Sequence, residues 1–274
     1  MQQLVDRVAV VTGAGSGIGR ALAIELARQG MHLALTDVAT DRLASVADAV
    51  WKLGRDVSTH GFDVADASAW PSFVERVIQR HGAVQLVVNN AGVSLNGPFE
   101  QCSLEDLRWQ LDVNIWGVVH GCWHFLPHLR KQPEAHLINV SSIFGVVSVP
   151  DNAAYCMSKH AVRALTEALE MELRGSSVRV SSVHPGAVAT RIVSDGRYRE
   201  GGFMSSDRTK RVIEKGITPE EAARIVVDGI RTDQRRILVG PDARFLARLH
   251  RLWPTRYRDV MMWSLERRRG RSKG

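Results

Sequence analysis

The sequence predicts one α/β domain built on a doubly wound, seven-stranded parallel sheet with helices on both faces. Three observations carry that expectation. Short β-branched runs alternate with longer helical stretches through residues 1–240, the order that right-handed βαβ units produce. The first such run opens directly into a glycine-rich turn, "GAGSGIG", at the head of a helical pattern. A chain of 274 residues, 45% hydrophobic and 24% charged, can bury one large core and is neither disordered nor fibrous in composition.

The elements follow in order. Strands are expected at Val8–Thr12, His32–Asp37, Ser58–Phe62, Leu86–Asn89, His136–Val140, Arg179–His184 and Arg236–Val239. Helices are expected between them at Gly17–Gln29, Asp41–Leu53, Ala67–Arg80, Leu104–Arg130, Ala153–Arg174 and Pro219–Ile230. Residues 191–216 are polar and punctuated by glycine, and their place after the sixth strand marks a lid or binding loop near the carboxyl ends of the strands. A plain surface insertion is the alternative. Residues 241–274 form a separate basic, amphipathic helical tail, with Phe245, Leu249 and Leu252 expected on one helical face.

Charge is uneven. The chain carries 36 basic and 29 acidic residues, and the tail alone holds ten Lys or Arg against three acids, which accounts for the whole net charge of +7. The main body is therefore neutral and gives no reason to expect a nucleic-acid partner. The tail reads as a solvated helix with a frayed basic end, as a subunit contact, or as a peripheral membrane contact. Cys102, Cys122 and Cys156 are odd in number and lack metal-ligand spacing, so neither a disulfide framework nor a metal site is expected. No signal peptide or apolar span is recognised, which makes the cytoplasm the expected location.

Gly13, Gly17 and Gly19 stand where a strand becomes a helix. Glycine there permits a tight turn and lets a pyrophosphate approach backbone amides at the helix N-terminus. Asp37 closes the second strand eighteen residues beyond Gly19, placed to accept both ribose hydroxyls of an adenosine and to repel a 2'-phosphate. No Lys or Arg follows in "TDVAT", and Ser16 adds no positive charge, so NAD is favoured over NADP. Asp63, after the third strand, suits either an adenine amino group or the cap of the next helix.

The reacting end is read from three segments. "VNNAG" offers Asn90, Ala91 and Gly92 beside the first strand. Ser142 ends the fifth strand, its neighbour Ser141 facing the other way. Tyr155 and Lys159 sit four apart on one helix face, where an ammonium would lower the pKa of a phenol. Ser142 could then hydrogen-bond a substrate oxygen. Asn114 falls inside a long helix, where an asparagine needs a partner, either as a satisfied core group or as the holder of a water beside Lys159.

Together these residues resemble the short-chain dehydrogenase/reductase family over roughly residues 5 to 240. TGxxxGIG matches Thr12 through Gly19, NNAG matches Asn89 through Gly92, and the family's catalytic tetrad falls on Asn114, Ser142, Tyr155 and Lys159. The resemblance implies a Rossmann fold and interconversion of an alcohol with its ketone or aldehyde. It implies cofactor contacts at Gly13, Ser16, Gly17, Ile18, Gly19, Asp37, Asp63, Val64, Asn90, Ala91 and Gly92, at Tyr155 and Lys159, and at Pro185, Gly186, Val188 and Thr190. Tyr155 would act as acid or base.

A small hydrophobic alcohol or ketone is the expected substrate, lined by Ser142, Phe144, Val149, Tyr155, Ala187 and Ile192, with Ile143 and Val146 as further candidates. The resemblance also implies a homotetramer or homodimer paired through the helices at 104–130 and 153–174. Trp109, Trp116 and Trp123 recur every seven residues on the first of these, an interface or core stripe. A noncatalytic NAD-sensing scaffold that binds a membrane or protein through the tail is the competing account.

Overall fold

The computed structural model describes residues 1, 3–202 and 206–270. Residues 203–205 of the expected loop and 271–274 of the tail lie outside the described residues. In chain order the strands are β1 (Val8–Thr12), β2 (His32–Asp37), β3 (Val57–Gly61), β4 (Leu86–Asn89), β5 (Leu95–Asn96), β6 (Ala135–Val140), β7 (Val178–Pro185), β8 (Arg197–Tyr198) and β9 (Arg236–Val239). The helices are α1 (Gly17–Arg28), α2 (Thr40–Lys52), α3 (Ala69–His81), α4 (Leu104–Leu111), α5 (Gly117–Leu129), α6 (Ala153–Glu172), α7 (Ser206–Glu214), α8 (Pro219–Arg231), α9 (Pro241–Leu252) and α10 (Tyr257–Gly270).

Seven strands form one sheet in the order β3-β2-β1-β4-β6-β7-β9, with every pairing parallel. Strand alternation splits the core in two. Ala9 and Val11 of β1, Leu33 and Leu35 of β2 and Val88 of β4 face a layer filled by α1, α2 and α8. Val8, Val10, Ala34 and Val87 point the opposite way, into α3, α5 and α6 around Trp70, Phe73 and Phe125. Strands buried on both faces read as continuous apolar runs, which is why β1 and β4 are plain in the sequence. The chain winds outward from β1 to β3 and returns on the other side of β1 as β4, which makes the carboxyl ends of β1 and β4 the crevice of the sheet.

Several expectations change. The long helix at 104–130 is α4 and α5 joined by a five-residue π turn, Asp112–Trp116, around Asn114. Residues 191–216 are not one loop, for they contain β8, which pairs with β5, and then α7. Strand β3 begins and ends one residue earlier than expected, and α3 starts at Ala69 because Asp66 makes a turn with Ser68 first. In the tail, Leu249 is buried with Ala243, but Phe245 and Leu252 are 62% and 69% exposed, so the inward stripe runs through Ala243, Leu246 and Leu249.

That stripe packs on the segment after Ser142. Ile143, Val146 and Val147 form a third apolar cluster with Ala243, Leu249 and Tyr257, and the Tyr257 hydroxyl accepts a hydrogen bond from the Ser148 amide at 3.1 Å. Ile143 and Val146, expected to line a substrate pocket, are instead buried against α9 and α10. The tryptophan stripe also divides. Trp109 is half-buried beneath the Arg197 guanidinium, 4.1 Å from its ring, whereas Trp116 and Trp123 are 53% and 76% exposed. Among the described residues no helix is long and apolar enough to cross a membrane.

Candidate active site

The crevice is built on backbone. Gly13 and Gly17 adopt left-handed φ of 64° and 52°, and a Cβ on Gly13 would lie 2.8 Å from the Ala91 Cα. Gly19 is tighter still, since an added Cβ would collide with the Gly13 carbonyl and the Asn90 amide. Thr12 Oγ1 accepts hydrogen bonds from the Asn90 and Ala91 amides, both at 3.0 Å, and Asn90 Nδ2 donates to the carbonyls of Thr12 and Gly13. Asn90 thus fastens the β4 end to the glycine turn across the crevice. Ser16, whose backbone is extended, caps α1, with Ile18 partly buried against the core.

Asp37 lies at the rim of this turn. Its carboxylate accepts from the Gly15 amide at 2.8 Å and from the Ala39 amide at 2.9 Å, which fixes both oxygens beside the glycine turn. A side chain on Gly15 would strike it. Asp63 accepts from the Ala65 amide at 2.9 Å, a local turn, and Val64 is buried with its carbonyl held by the Trp70 indole. Neither position is taken up by a helix cap of the side-chain kind, because α3 starts six residues beyond Asp63.

Ser142, Tyr155 and Lys159 converge on the other side of the crevice. Ser142 caps a short 3-10 turn, Ile143–Gly145, its Oγ accepting from the Phe144 amide at 3.1 Å and donating to the Pro185 carbonyl at 3.5 Å. The Phe144 ring meets Tyr155 edge-on, with centroids 6.3 Å apart. Lys159 is 2% exposed; its ammonium donates to the Val140 carbonyl at 3.0 Å and lies 5.7 Å from the Tyr155 ring centre. Ser141 points away as expected, donating to the Lys159 carbonyl at 2.7 Å.

Burial governs the proton affinities. The Tyr155 phenol is pushed up to about 12 by burial, with the Ser142 hydrogen bond drawing it back, and Lys159 is brought down to about 8 by burial. Tyr155 is consequently a neutral phenol near pH 7.

Asn114 is fully buried at the π turn. Its Oδ1 accepts from the Val93 amide at 2.8 Å, and its Nδ2 donates to the Val93 carbonyl and to Ser158 Oγ. The core-group reading is met by these partners. Gly92 ties it to the reacting end, since a Cβ there would lie 3.2 Å from Asn114 Oδ1 and 3.3 Å from the Lys159 ammonium.

Seven residues that sequence reasoning missed hold the rims, alone or in pairs. His184 accepts no charge at neutral pH, for burial lowers it to about 4. As a neutral ring its Nδ1 donates to the Ser142 carbonyl at 2.9 Å and its Nε2 accepts from Ser182, which orients the serine backbone. Asp242, at the start of α9, accepts from the Ala187 amide at 2.7 Å and fills the space beside Gly186. Pro185 and Gly186 follow β7 there; Val188 is bridged to Ile217, and Thr190 touches the space over Gly17. Buried Asp106 pairs with Arg197 at 3.0 Å and Arg199 at 2.6 Å, clamping β8 to α4. Arg42 pairs with Asp195 at 3.0 Å, which ties the segment after β7 to α2 beside the glycine turn. Ile192 is held by Ser94 Oγ on its carbonyl, and Val149 is half-buried. Only the Ser103-x-x-Asp106 capping pattern left a local trace of any of these.

A doubly wound sheet whose switch point carries a glycine turn, with a serine, a tyrosine and a lysine facing it, defines a class of α/β oxidoreductases. The family model for short chain dehydrogenase matches residues 7–200. SadH of Mycobacterium tuberculosis, an oxidoreductase by name, is 38% identical over 268 residues, covering 95% of this chain and 96% of its own. A short chain dehydrogenase/reductase from Burkholderia phymatum, solved in complex with NAD, superposes with a TM-score of 0.88 at 31% identity over 94% of this chain and 97% of its own. An alcohol dehydrogenase from Thermococcus sibiricus, complexed with 5-hydroxy-NADP, gives a TM-score of 0.73 at 31% identity over 84% and 93%. The chain belongs to the short-chain dehydrogenase family and is an oxidoreductase.

Proposed function

We propose that this chain interconverts a hydrophobic alcohol and its ketone or aldehyde with NAD as the preferred cofactor. The observation that carries the reading is the convergence of Ser142, Tyr155 and Lys159 on the crevice closed by Gly13, Gly17 and Gly19. The residues present fit a dinucleotide: a glycine turn whose Cβ positions are closed to any side chain, an acid fixed at its rim, and Gly92 giving the backbone close approach to Asn114 and Lys159. NAD, when bound, supplies a hydride acceptor and donor.

The chain's own groups do the rest. Gly13, Ser16, Gly17, Ile18 and Gly19 present backbone amides to the pyrophosphate, and Asp37 takes the adenosine ribose hydroxyls. Asp63, Val64, Asn90, Ala91 and Gly92 line the crevice, with Pro185, Gly186, Val188 and Thr190 on its far lip. Ser142 Oγ orients the substrate oxygen, and Tyr155 Oη gives a proton to that oxygen in reduction or removes one in oxidation. Lys159, cationic below about pH 8, stabilises phenolate as it forms. Asn114 positions Val93 and, through it, the backbone next to Lys159.

NAD preference rests on Asp37, fixed beside the glycine turn, while the guanidinium of the nearby Arg42 is directed to Asp195. Phe144, Val149, Ala187 and Ile192 support an apolar substrate. Exposed Trp116 and Trp123 on the π turn and α5, with Met157 and Met171 on α6, support a homodimer or homotetramer paired through these helices. Exposed Phe245, Leu252 and Trp253 among tail arginines support a peripheral membrane contact. The deciding experiment follows reduced-nicotinamide absorbance with NAD and NADP in parallel against apolar secondary alcohols, primary alcohols, sterols and polyols. Turnover with NAD and a bulky apolar alcohol is expected. Tight NAD binding without turnover on any member would favour the noncatalytic scaffold.

A further inference from the structure

The tail reaches the crevice through one carboxylate. Gly240, at a φ of 101°, turns β9 straight into α9, so that Asp242 stands beside the segment that follows β7. There the carboxylate accepts from the Ala187 amide at 2.7 Å, and a Cβ on Gly186 would collide with it. The neighbouring backbone groups are held by other backbone. The Gly186 amide donates to the Val239 carbonyl at 2.9 Å, the Ala187 carbonyl accepts from the Ile217 amide at 3.1 Å, and the Ala189 amide donates to the Ile217 carbonyl at 2.9 Å. Among the described residues the buried Val188 amide has no acceptor, a costly state that a bound ligand can relieve.

We propose that Asp242 is a positioning residue for the nicotinamide end of the cofactor: through the Ala187 amide it fixes residues 185–188 at the spacing from Ser142 that hydride exchange requires. The inference rests on the proposed binding of NAD in this crevice. Which end of the dinucleotide meets this lip follows from the chemistry. Asp37 and the glycine turn take the adenosine and the pyrophosphate, so the reacting ring lies toward Ser142 and Tyr155, and the Ser142 hydroxyl reaches the Pro185 carbonyl at 3.5 Å. Asp242 also ties that lip to the structure behind the serine. Ala243 and Leu249 of the same helix pack on Ile143, Val146 and Val147, and the Tyr257 hydroxyl accepts from the Ser148 amide. One C-terminal element thus grips both walls, and its hold on the lip is a charge-assisted hydrogen bond, among the stronger kinds. A misplacement of about 1 Å can cost about 10²-fold in rate, which gives such a hold its consequence for the reaction.

The test compares the wild type, Asp242→Ala and Asp242→Asn as full chains. Calorimetric titration with NAD and with ADP-ribose, which lacks the nicotinamide, separates the two ends of the crevice. Asp242→Ala is expected to lose about tenfold or more in NAD affinity and to stay within about twofold for ADP-ribose, whereas Asp242→Asn, whose amide oxygen can still accept, stays within about threefold for both. Hydrogen exchange on the cofactor-free proteins is the second readout. Peptides spanning 186–190 should exchange about tenfold faster in Asp242→Ala and near the wild-type rate in Asp242→Asn. If Asp242→Ala does not fold, Asp242→Glu, which keeps the charge and displaces the acceptor by one methylene, takes its place in both comparisons. Equal losses for NAD and ADP-ribose report a general loosening of the fold and overturn the proposal, as do unchanged NAD affinity, unchanged exchange at 186–190, or an asparagine variant as weak as the alanine one. A wild type that binds neither ligand removes the cofactor reading of the crevice, and this inference with it.

Discussion

Replacing Lys159 by methionine separates what the lysine costs the fold from what it does in the site. The side chain is 2% exposed, its one recorded hydrogen bond is to the Val140 carbonyl, and burial brings its pKa from 10.5 to about 8. At about 1.4 kcal/mol per pKa unit, that gap corresponds to about 3 kcal/mol of destabilisation. The sign follows from which state holds the proton more tightly. The unfolded chain does, so the penalty is present in full below about pH 8 and is lost as the pH rises toward the unfolded value of 10.5. Methionine keeps the stem and removes the charge, at a loss of about 1 kcal/mol for the Val140 hydrogen bond. The net gain near neutral pH is about 2 kcal/mol, and at about 2 °C per kcal/mol for a chain of this size the melting temperature rises by about 4 °C. Calorimetric melting of both proteins near pH 7 and near pH 10 measures this, beside turnover on the same samples. We expect a more stable, inactive variant near pH 7 and a gain that shrinks close to zero near pH 10. A variant that melts lower at neutral pH, or whose gain is the same at both, would refute the argument that burial sets the charge state of Lys159.

Tyr155→Phe removes the proton donor and keeps the ring against Phe144, so turnover falls by about 10²–10⁴-fold while NAD affinity, read by fluorescence titration, stays within about twofold. Asp37→Ala frees the Gly15 and Ala39 amides; NAD affinity drops by about tenfold or more and NADP affinity does not, and equal losses in calorimetry would remove the basis for the cofactor preference. Asp106→Asn takes the counter-charge from Arg197 and Arg199, so KM rises by about tenfold with a smaller change in kcat, and limited proteolysis cuts near residues 197–202 sooner. Burial opposes ionisation of Asp106, but hydrogen bonds from Arg197, Ser103 and Arg199 prevail and hold it below the usual carboxylate range. The clamp is accordingly present above about pH 4 and weakens as the pH falls through the lower folded value. Tyr257→Phe leaves the Ser148 amide without its acceptor and lowers stability by about 1 kcal/mol in urea unfolding, with the crevice intact.

The sheet was legible because its strands are buried on both faces and its helices on one, and those two periods are written locally. The crevice was legible for a related reason: Gly13, Gly17 and Ser142 sit within a few residues of a strand end, and Tyr155 and Lys159 stand four apart on α6, where spacing alone puts them on one face. What escaped has no local period. A π turn preserves the apolar face of a helix while adding one residue to its turn, so 104–130 read as one helix although Asn114 breaks it. Strands β5 and β8 are two residues each and exist only because they meet. Arg42 and Asp195 are 153 positions apart, and Asp106 lies 91 and 93 positions from the two arginines that hold it. Such pairs look like solvated charges until the chain closes. They are also the contacts that fasten the segment after β7 over the crevice, to α4 on one side and α2 on the other. The short-range chemistry of the crevice therefore gives the family, whereas its walls depend on long-range ion pairs that a linear reading cannot join.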